Sequence, residues 1–488
     1  MKYAVNKCAL ALAIMGAFGL SACKDGAQEA PINKSTTGVI TGFGSVFVNG
    51  VEYETDNARF VVDGVEGGEG LLKLGMLVSL SGTTKEDGTG TAVSITFNDD
   101  VEGVVINNEV DAAGIGTLNI MGLTVEVDED TVFDSSVDGI LSVVDVVPGN
   151  IVEVSGHSSG DGNVLATRLE VKSVAQEAGK EMEVKGYISK LDEQAMTFTL
   201  GSMVIDFSNA ELKLEKGAGA LNDGLFVEVK TVSGIEGEML IASKIELEAG
   251  GKKSLAQGSS EETELEGVIN RVLGTTEIEV NGHRVLLSDT TRYVHGTAEL
   301  VAAGMKLKVK GDVNEAGELV AQKVVFKPSG DVKVAGKVDA LDVAANTLSI
   351  FGISFTLNNS TMVKDDRDHD ALANGEENIK YKFGVDDLAK GDWIKAKAYT
   401  NKEGGLTLTK MARKTYEAGK LEALEGKLTV DGTNSNYFVA GIRVDLSSTS
   451  ILPLDGMKVE LKGQYTDGVF VVSKAEEKAR EENYTHHG

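Results

Sequence analysis

A short pattern of glycines and alternating apolar residues recurs along most of this chain, and it limits the possible folds more than any other feature. Four landmarks repeat. A glycine opens a strand at Gly38, Gly103, Gly186, Gly267, Gly336 and Gly419. An apolar alternation is then broken by a glycine turn and resumes at once, as in Val46-Phe-Val-Asn-Gly-Val-Glu-Tyr53 and Ile278-Glu-Val-Asn-Gly-His-Arg-Val285. Asn-Gly between such runs signals a hairpin, because both turn positions tolerate positive φ. The third landmark reads Gly75-Met-Leu-Val-Ser-Leu-Ser-Gly82, Gly149-Asn-Ile-Val-Glu-Val-Ser-Gly156, Gly304-Met-Lys-Leu-Lys-Val-Lys-Gly311 and Gly456-Met-Lys-Val-Glu-Leu-Lys-Gly463. Gly224 to Thr231 and Gly391 to Ala398 keep everything but the closing glycine. Its apolar residues fall on alternate positions, so one face is buried and the other meets water. A last strand follows, such as Ala92-Val-Ser-Ile-Thr-Phe97 or Ala321-Gln-Lys-Val-Val-Phe326.

These landmarks predict an all-β fold: a tandem array of about six small five-stranded barrels, OB-like or SH3-like, with a small sandwich as the remaining option. A variable segment of weak helical character, such as Thr297-Ala-Glu-Leu-Val-Ala-Ala303, separates the third and fourth strands. The expected units are 37–99, 100–174, 181–248, 264–328, 332–415 with an acidic insertion, and 416–476. Barrels of this size bury modest cores, so neighbours should pack or share edges. Residues 249–263 are rich in Gly, Ser and charge and form the clearest linker, dividing the array into two groups of three. A charged tail covers 477–488, and Lys474 to Asn483 could form a frayed helix.

The N-terminus supplies an address. Lys2 and Lys7 precede an apolar run from Cys8 to Leu20, too short to span a bilayer as a helix. Leu20-Ser-Ala-Cys23 resembles the lipobox of bacterial lipoproteins. The resemblance implies removal of residues 1–22, lipidation of Cys23 and a polar tether over 23–36. Lys24 rather than Asp after the cysteine implies the outer membrane of a two-membrane cell, facing the periplasm or the cell surface.

Composition narrows the partners. The chain has 47 basic and 75 acidic residues, a formal charge of −28, which grows by two units when Lys2 and Lys7 leave. Such a charge repels phosphate polymers, so no nucleic acid is expected. With Cys8 cleaved and Cys23 acylated, no thiol is left for a disulfide, a metal or nucleophilic catalysis. Aromatic residues are 5% of the chain and Trp393 sits at a core-type strand position, which argues against a sugar-stacking platform.

The stretch Thr41-Gly-Phe-Gly-Ser-Val-Phe-Val-Asn-Gly-Val-Glu-Tyr-Glu-Thr55 is similar to the signature of the bacterial family known as domain of unknown function 5666. The similarity is best in the first unit, moderate in the second, fourth and fifth, and weaker in the third and sixth. The family has no assigned activity, so the resemblance implies no catalytic or binding residue.

Asp365, Asp366, Asp368, His369 and Asp370 form the one dense set of potential metal ligands, suited to a hard divalent cation or, through His369, a transition metal. The set lacks EF-hand spacing, and Arg367 lies within it. His157 and His283 read as turn residues of separate units. No nucleophile elbow, metalloprotease helix or phosphate loop appears, and Gly42-Phe-Gly44-Ser45 precedes a strand and reads as a hairpin turn. The expectation is a non-enzymatic, lipid-anchored envelope scaffold. It would meet the membrane through Cys23 and act on another envelope protein, with no cofactor except for a divalent cation at Asp365–Asp370. The alternatives are a cation-binding envelope protein, and a hydrolase with carboxylates at a unit junction.

Overall fold

The computed structural model describes residues 32–85, 87–158, 163–214, 220–247, 262–327, 330–367, 385–431 and 436–478. Barrel one shows the plan. Strands Ile32–Gly42, Val46–Val48 and Val51–Glu54 form an antiparallel meander. The third strand then runs parallel to the last, Thr89–Phe97. That last strand pairs antiparallel with Leu77–Thr84, which pairs back onto the first and closes the ring. This Greek-key crossing matches the OB-like alternative. The same circuit recurs over 101–173 (barrel two), 182–247 (three), 262–326 (four), 332–414 (five) and 422–477 (six).

Three glycine positions explain the recurrence. Gly75, Gly149, Gly224, Gly304, Gly391 and Gly456 all adopt left-handed φ between 79° and 98°, which costs glycine nothing. Each N–H donates to a first-strand carbonyl, for example Gly75 to Ile40 at 3.0 Å and Gly456 to Leu428 at 2.7 Å, so this glycine locks the fourth strand onto the first. In the hairpin turns Asn49-Gly50 and Asn281-Gly282 both residues have positive φ, as a type I′ turn requires. The Asn49 amide donates to the Thr37 carbonyl at 3.0 Å and lies over Gly38, where an added Cβ would stand 2.4 Å from its Oδ1. The first-strand glycine is therefore space for the turn. In barrel six that role belongs to Gly426, not Gly419, which sits in the preceding turn with φ of 88°.

The closing glycines Gly82, Gly156, Gly311 and Gly463 sit at β-bulges where the last strand crosses closely. Barrel three has Thr231 there instead, and its last strand is broken into Met239–Ile241 and Lys244–Leu247. The Thr231 hydroxyl bridges the break, donating to Ile241 O at 2.6 Å and accepting from Gly234 N at 2.8 Å.

A further short strand, not foreseen from the sequence, extends the third strand's path along the last one. It is Arg59–Val62, Val132–Ser135, Glu211–Lys213, Arg292–Val294 and Met362–Asp366 in barrels one to five. In three of them a threonine hydroxyl pins the preceding turn to the last strand: Thr131 to Ala166 O, Thr291 to Ala321 O and Thr361 to Leu408 O. Barrel six has no such strand among the described residues. Leu452 and Leu454 stand 81% and 65% exposed where it would start. The expected helical segment is one 3-10 turn, Ala298–Leu300. The polar stretch before the first barrel is strand from Ile32 onward, with Lys34 and Thr36 buried. Lys474 to Glu477 is strand rather than helix. The linker at 249–263 lies mostly outside the described residues.

The barrels are not laid out as two rows of three. The first strands of barrels two and three pair antiparallel, as do those of five and six, and each couple shares one continuous apolar core. Barrel four returns to barrel one, where Glu262–Leu265 pair in parallel with Lys34–Thr37.

Candidate functional site

The first-strand joins are where the chain concentrates its buried charge. In barrel four Glu264 projects from the first strand and is 1% exposed. Lys34 of barrel one, Lys308 and Lys310 surround it at 2.8, 3.0 and 2.7 Å. Burial alone would raise this carboxyl, but the three ammonium groups reverse the effect and hold it at about 2.

Barrel two presents its acidic turn Asp128-Glu129-Asp130 to lysines of its neighbours. Glu129 meets Lys333 at 2.7 Å and Lys397 at 2.9 Å, both from barrel five. Asp130 also binds Lys397, Asp128 meets Lys306 of barrel four at 3.3 Å, and Lys410 donates to the Glu129 carbonyl at 2.7 Å. Burial brings Lys410 down to about 8 in spite of Asp130 and Asp128. Arg168, 1% exposed, holds Glu170 at 2.7 Å and Asp134 at 3.1 Å and donates to Leu74 O of barrel one at 3.3 Å.

The join of barrels two and three is different, because carboxyls dominate it. Cross-strand register puts Glu170 opposite Glu153, Glu153 opposite Glu102, and Glu102 opposite Glu183. Asp99, on the connector leaving barrel one, is 3% exposed, and Lys185 lies between it and Glu183. Lys185 reaches Glu183 at 3.1 Å, Glu228 at 3.3 Å and Asp99 Oδ1 at 3.7 Å. Lys230 binds Glu183 at 2.6 Å. Burial first, and then the Glu183 carboxyl, push Asp99 well above the usual carboxylate range. Burial would also raise Glu183, but the Asp99 hydrogen bond and both lysines pull it far down. Burial, with Glu183 adding to it against Lys185, lifts Glu228 to about 7. Chemically this set can hold a proton between two carboxyls.

The residues singled out from sequence are dispersed. Asp365 pairs with Arg413 and, at 2.8 Å, with Arg367. Asp366 pairs with Lys364 at 2.8 Å and with Lys414, and these cations outweigh its burial and hold it far below the usual carboxylate range. Asp368, His369 and Asp370 lie outside the described residues, as does Cys23. Among the described residues no group of three or more His, Cys, Asp and Glu is arranged to hold a metal. His157 and His283 lie on strands, not turns, and each is 4% exposed. The Asn281 amide of barrel four donates to His157 Nδ1 at 3.0 Å, and burial lowers His157 to about 4. Trp393 is 2% exposed and packs on Tyr416. Gly42–Ser45 forms the expected hairpin turn. An open depression on barrel three is lined by Lys190–Gln194 and Leu221–Asp223, and its Asp192 and Asp223 carboxylates accept from neighbouring backbone N–H groups.

Three segments, residues 102–170, 266–325 and 335–410, match the family described as "Domain of unknown function (DUF5666)". These three segments are similar to DUF5666 repeats. The matched segments fall in barrels two, four and five, so one DUF5666 repeat corresponds to one barrel. The signature at Thr41–Thr55 in barrel one lies outside the matched segments. A search of curated proteins finds no match. Among solved structures, "drosophila Unr CSD456" is similar at 15% identity with a TM-score of 0.13, over 47% of this chain and 97% of that one. At that score the likeness carries no weight for fold or function.

The buried charges of the joins escaped the sequence reading because they stand at positions that alternate as water-facing. One signal was present: Glu183-Val-Lys-Gly186 and Glu264-Leu-Glu-Gly267 place a glutamate three residues before the first-strand glycine. Both glutamates are the central acids of their joins.

Proposed function

We propose that this protein is a lipid-anchored component of the cell envelope, held in the outer membrane through Cys23. It acts without catalysis, as a spacer or interaction scaffold for another envelope protein. The anchor rests on Leu20-Ser-Ala-Cys23 behind a short apolar run. The observation that carries the scaffold half is how the charged side chains are used. The acidic turn of barrel two binds lysines of barrels four and five, and Glu264 of barrel four binds Lys34 of barrel one, at 2.7–3.3 Å. Ion pairs that tie one barrel to the next fix the spacing of the repeats, which is what a spacer needs.

Two measurements test this. Radiolabelled palmitate should enter the wild-type protein in cells and not Cys23→Ser, and the variant should move from the membrane fraction to the soluble one. Affinity capture from detergent-solubilised envelopes should retain one specific partner. A protein that is unlabelled and cytosolic, or that captures no partner and turns over an envelope substrate, defeats the reading.

A further inference from the structure

The join of barrels two and three is unusual in its length as well as its charge. Only two residue pairs connect the first strands, Glu183 with Glu102 and Val184 with Val101. One of those two pairs sets glutamate opposite glutamate, an arrangement that destabilises a sheet when both are ionised. Glu102 has Glu153 on its other side.

We propose that this join is a proton-operated hinge: a proton shared between Asp99 and Glu183 keeps the strands of barrels two and three closed, and loss of protons from the cluster opens that end.

The ionisable groups that face the pair come from every element packed against it. The connector supplies Asp99 and Asp100, and barrel one supplies Asp63, whose Oδ1 accepts from Asp99 N at 3.0 Å. Barrel two supplies Glu102 and Glu153, the latter held by Lys172 at 2.8 Å. Barrel three supplies Glu181, Glu183 and Glu228 with Lys185 and Lys230. Eight carboxyls thus meet three ammonium groups, whereas in the Glu264 cluster the lysines outnumber the central acid. Full ionisation would leave five charges uncompensated by ammonium groups in a cluster whose Asp99, Glu153 and Glu228 are buried. Proton retention by Asp99 and by Glu228, which titrates at about 7, relieves this.

Away from the charged cluster the two barrels share one apolar core and a turn contact, neither of which titrates. The turn at Met121-Gly122 packs against Gly201 to Met203, and Ser202 N donates to Gly122 O at 2.8 Å. When the charged end opens, this contact serves as the pivot.

The sign follows from the raised acids. Their contribution to closure is fully present at low pH and is lost as pH rises through their folded values. Glu183, pulled down, stays ionised throughout the neutral range. The hinge therefore closes toward acid pH and loosens as pH rises through about 7, where Glu228 titrates. This inference is independent of whether Cys23 is acylated.

Hydrogen exchange on the full-length protein tests it, with labelling times scaled so that intrinsic exchange is equal at each pH. Peptides covering 101–105 and 182–188 should lose protection at least tenfold between pH 6 and pH 8.5. Peptides from the first strand of barrel six, 422–431, should not. Asp99→Asn and Glu228→Gln should each flatten the rise. Glu102→Gln, which removes repulsion and no partner of the shared proton, should keep the peptides protected at pH 8.5, and it decides the matter if the other variants fail to fold. Equal protection at every pH, or a Glu102→Gln variant that opens as the wild type does, overturns the hinge.

Discussion

Gly304 and Gly311 bracket the fourth strand of barrel four, and they are glycine for different reasons. Gly304 has φ of +83° and open space around it, so alanine there meets only backbone strain, roughly 1–2 kcal/mol. Gly311 faces the Val320 carbonyl, and an added Cβ would stand 1.9 Å from that oxygen. Alanine must push the two strands apart, at a cost of about 3 kcal/mol. Urea unfolding of the two variants should rank Gly311→Ala clearly below Gly304→Ala. Equal loss would mean that the bulge adapts and that the closing glycine has another purpose. Barrel five, with Ala398 at this position, shows that a methyl group can be accommodated when the whole barrel is built around it.

At the scale of elements, the join of barrels one and four is built to fail in acid. Glu264 titrates at about 2 in the folded state against an ordinary 4.5. A depressed acid lends stability above its unfolded value and loses it as pH falls through the folded one. Between pH 5 and pH 2 the fold around Glu264, barrel four and its join to barrel one together, should lose about 3 kcal/mol. Thermal melts across that range should show the fall, and Glu264→Gln should flatten it while lowering stability at pH 7, because three lysines are left facing a neutral group. Much of the element level was legible in the sequence. Period-two alternation and glycine spacing located the five main strands of each ring, because those strands bury one face in a local core. The extra strand was not legible. It is three to five residues long and begins after a turn such as Asp128-Glu-Asp-Thr131 or Asn358-Asn-Ser-Thr361, whose threonine acts by hydrogen bonding and leaves no hydrophobic trace. The choice of Gly419 over Gly426 failed for a related reason. Both begin a Gly-Lys-Leu triplet, and only the turn packed above Gly426 tells them apart. Asp99 and Glu183 were hidden by abundance, since pairs of acids occur everywhere in a chain with 75 of them.

At the scale of the whole molecule, the acidic turn at Asp128–Asp130 joins barrel two to barrel five across more than 200 residues of sequence. Neutralising it with Glu129→Gln and Asp130→Asn should weaken the join by about 1–2 kcal/mol, since both side chains are partly solvated. Calorimetry should then resolve a separate transition for barrels five and six. A single unchanged transition would mean that apolar packing alone carries that interface. The order of assembly was not in the sequence at all. Charge pairs between distant repeats leave no local period, so barrel four's return to barrel one could not be read from spacing.

That return has a mechanical consequence. The first strand, Ile32–Gly42, is gripped along one edge by Leu77–Thr84 over eight residue pairs and along the other by Glu262–Gly274 over four. If Cys23 carries the lipid, any tension between membrane and protein enters at Ile32 and pulls this strand along its own axis. Load in that direction is shared by all twelve pairs at once instead of breaking them one by one, so barrel one would resist it as a unit.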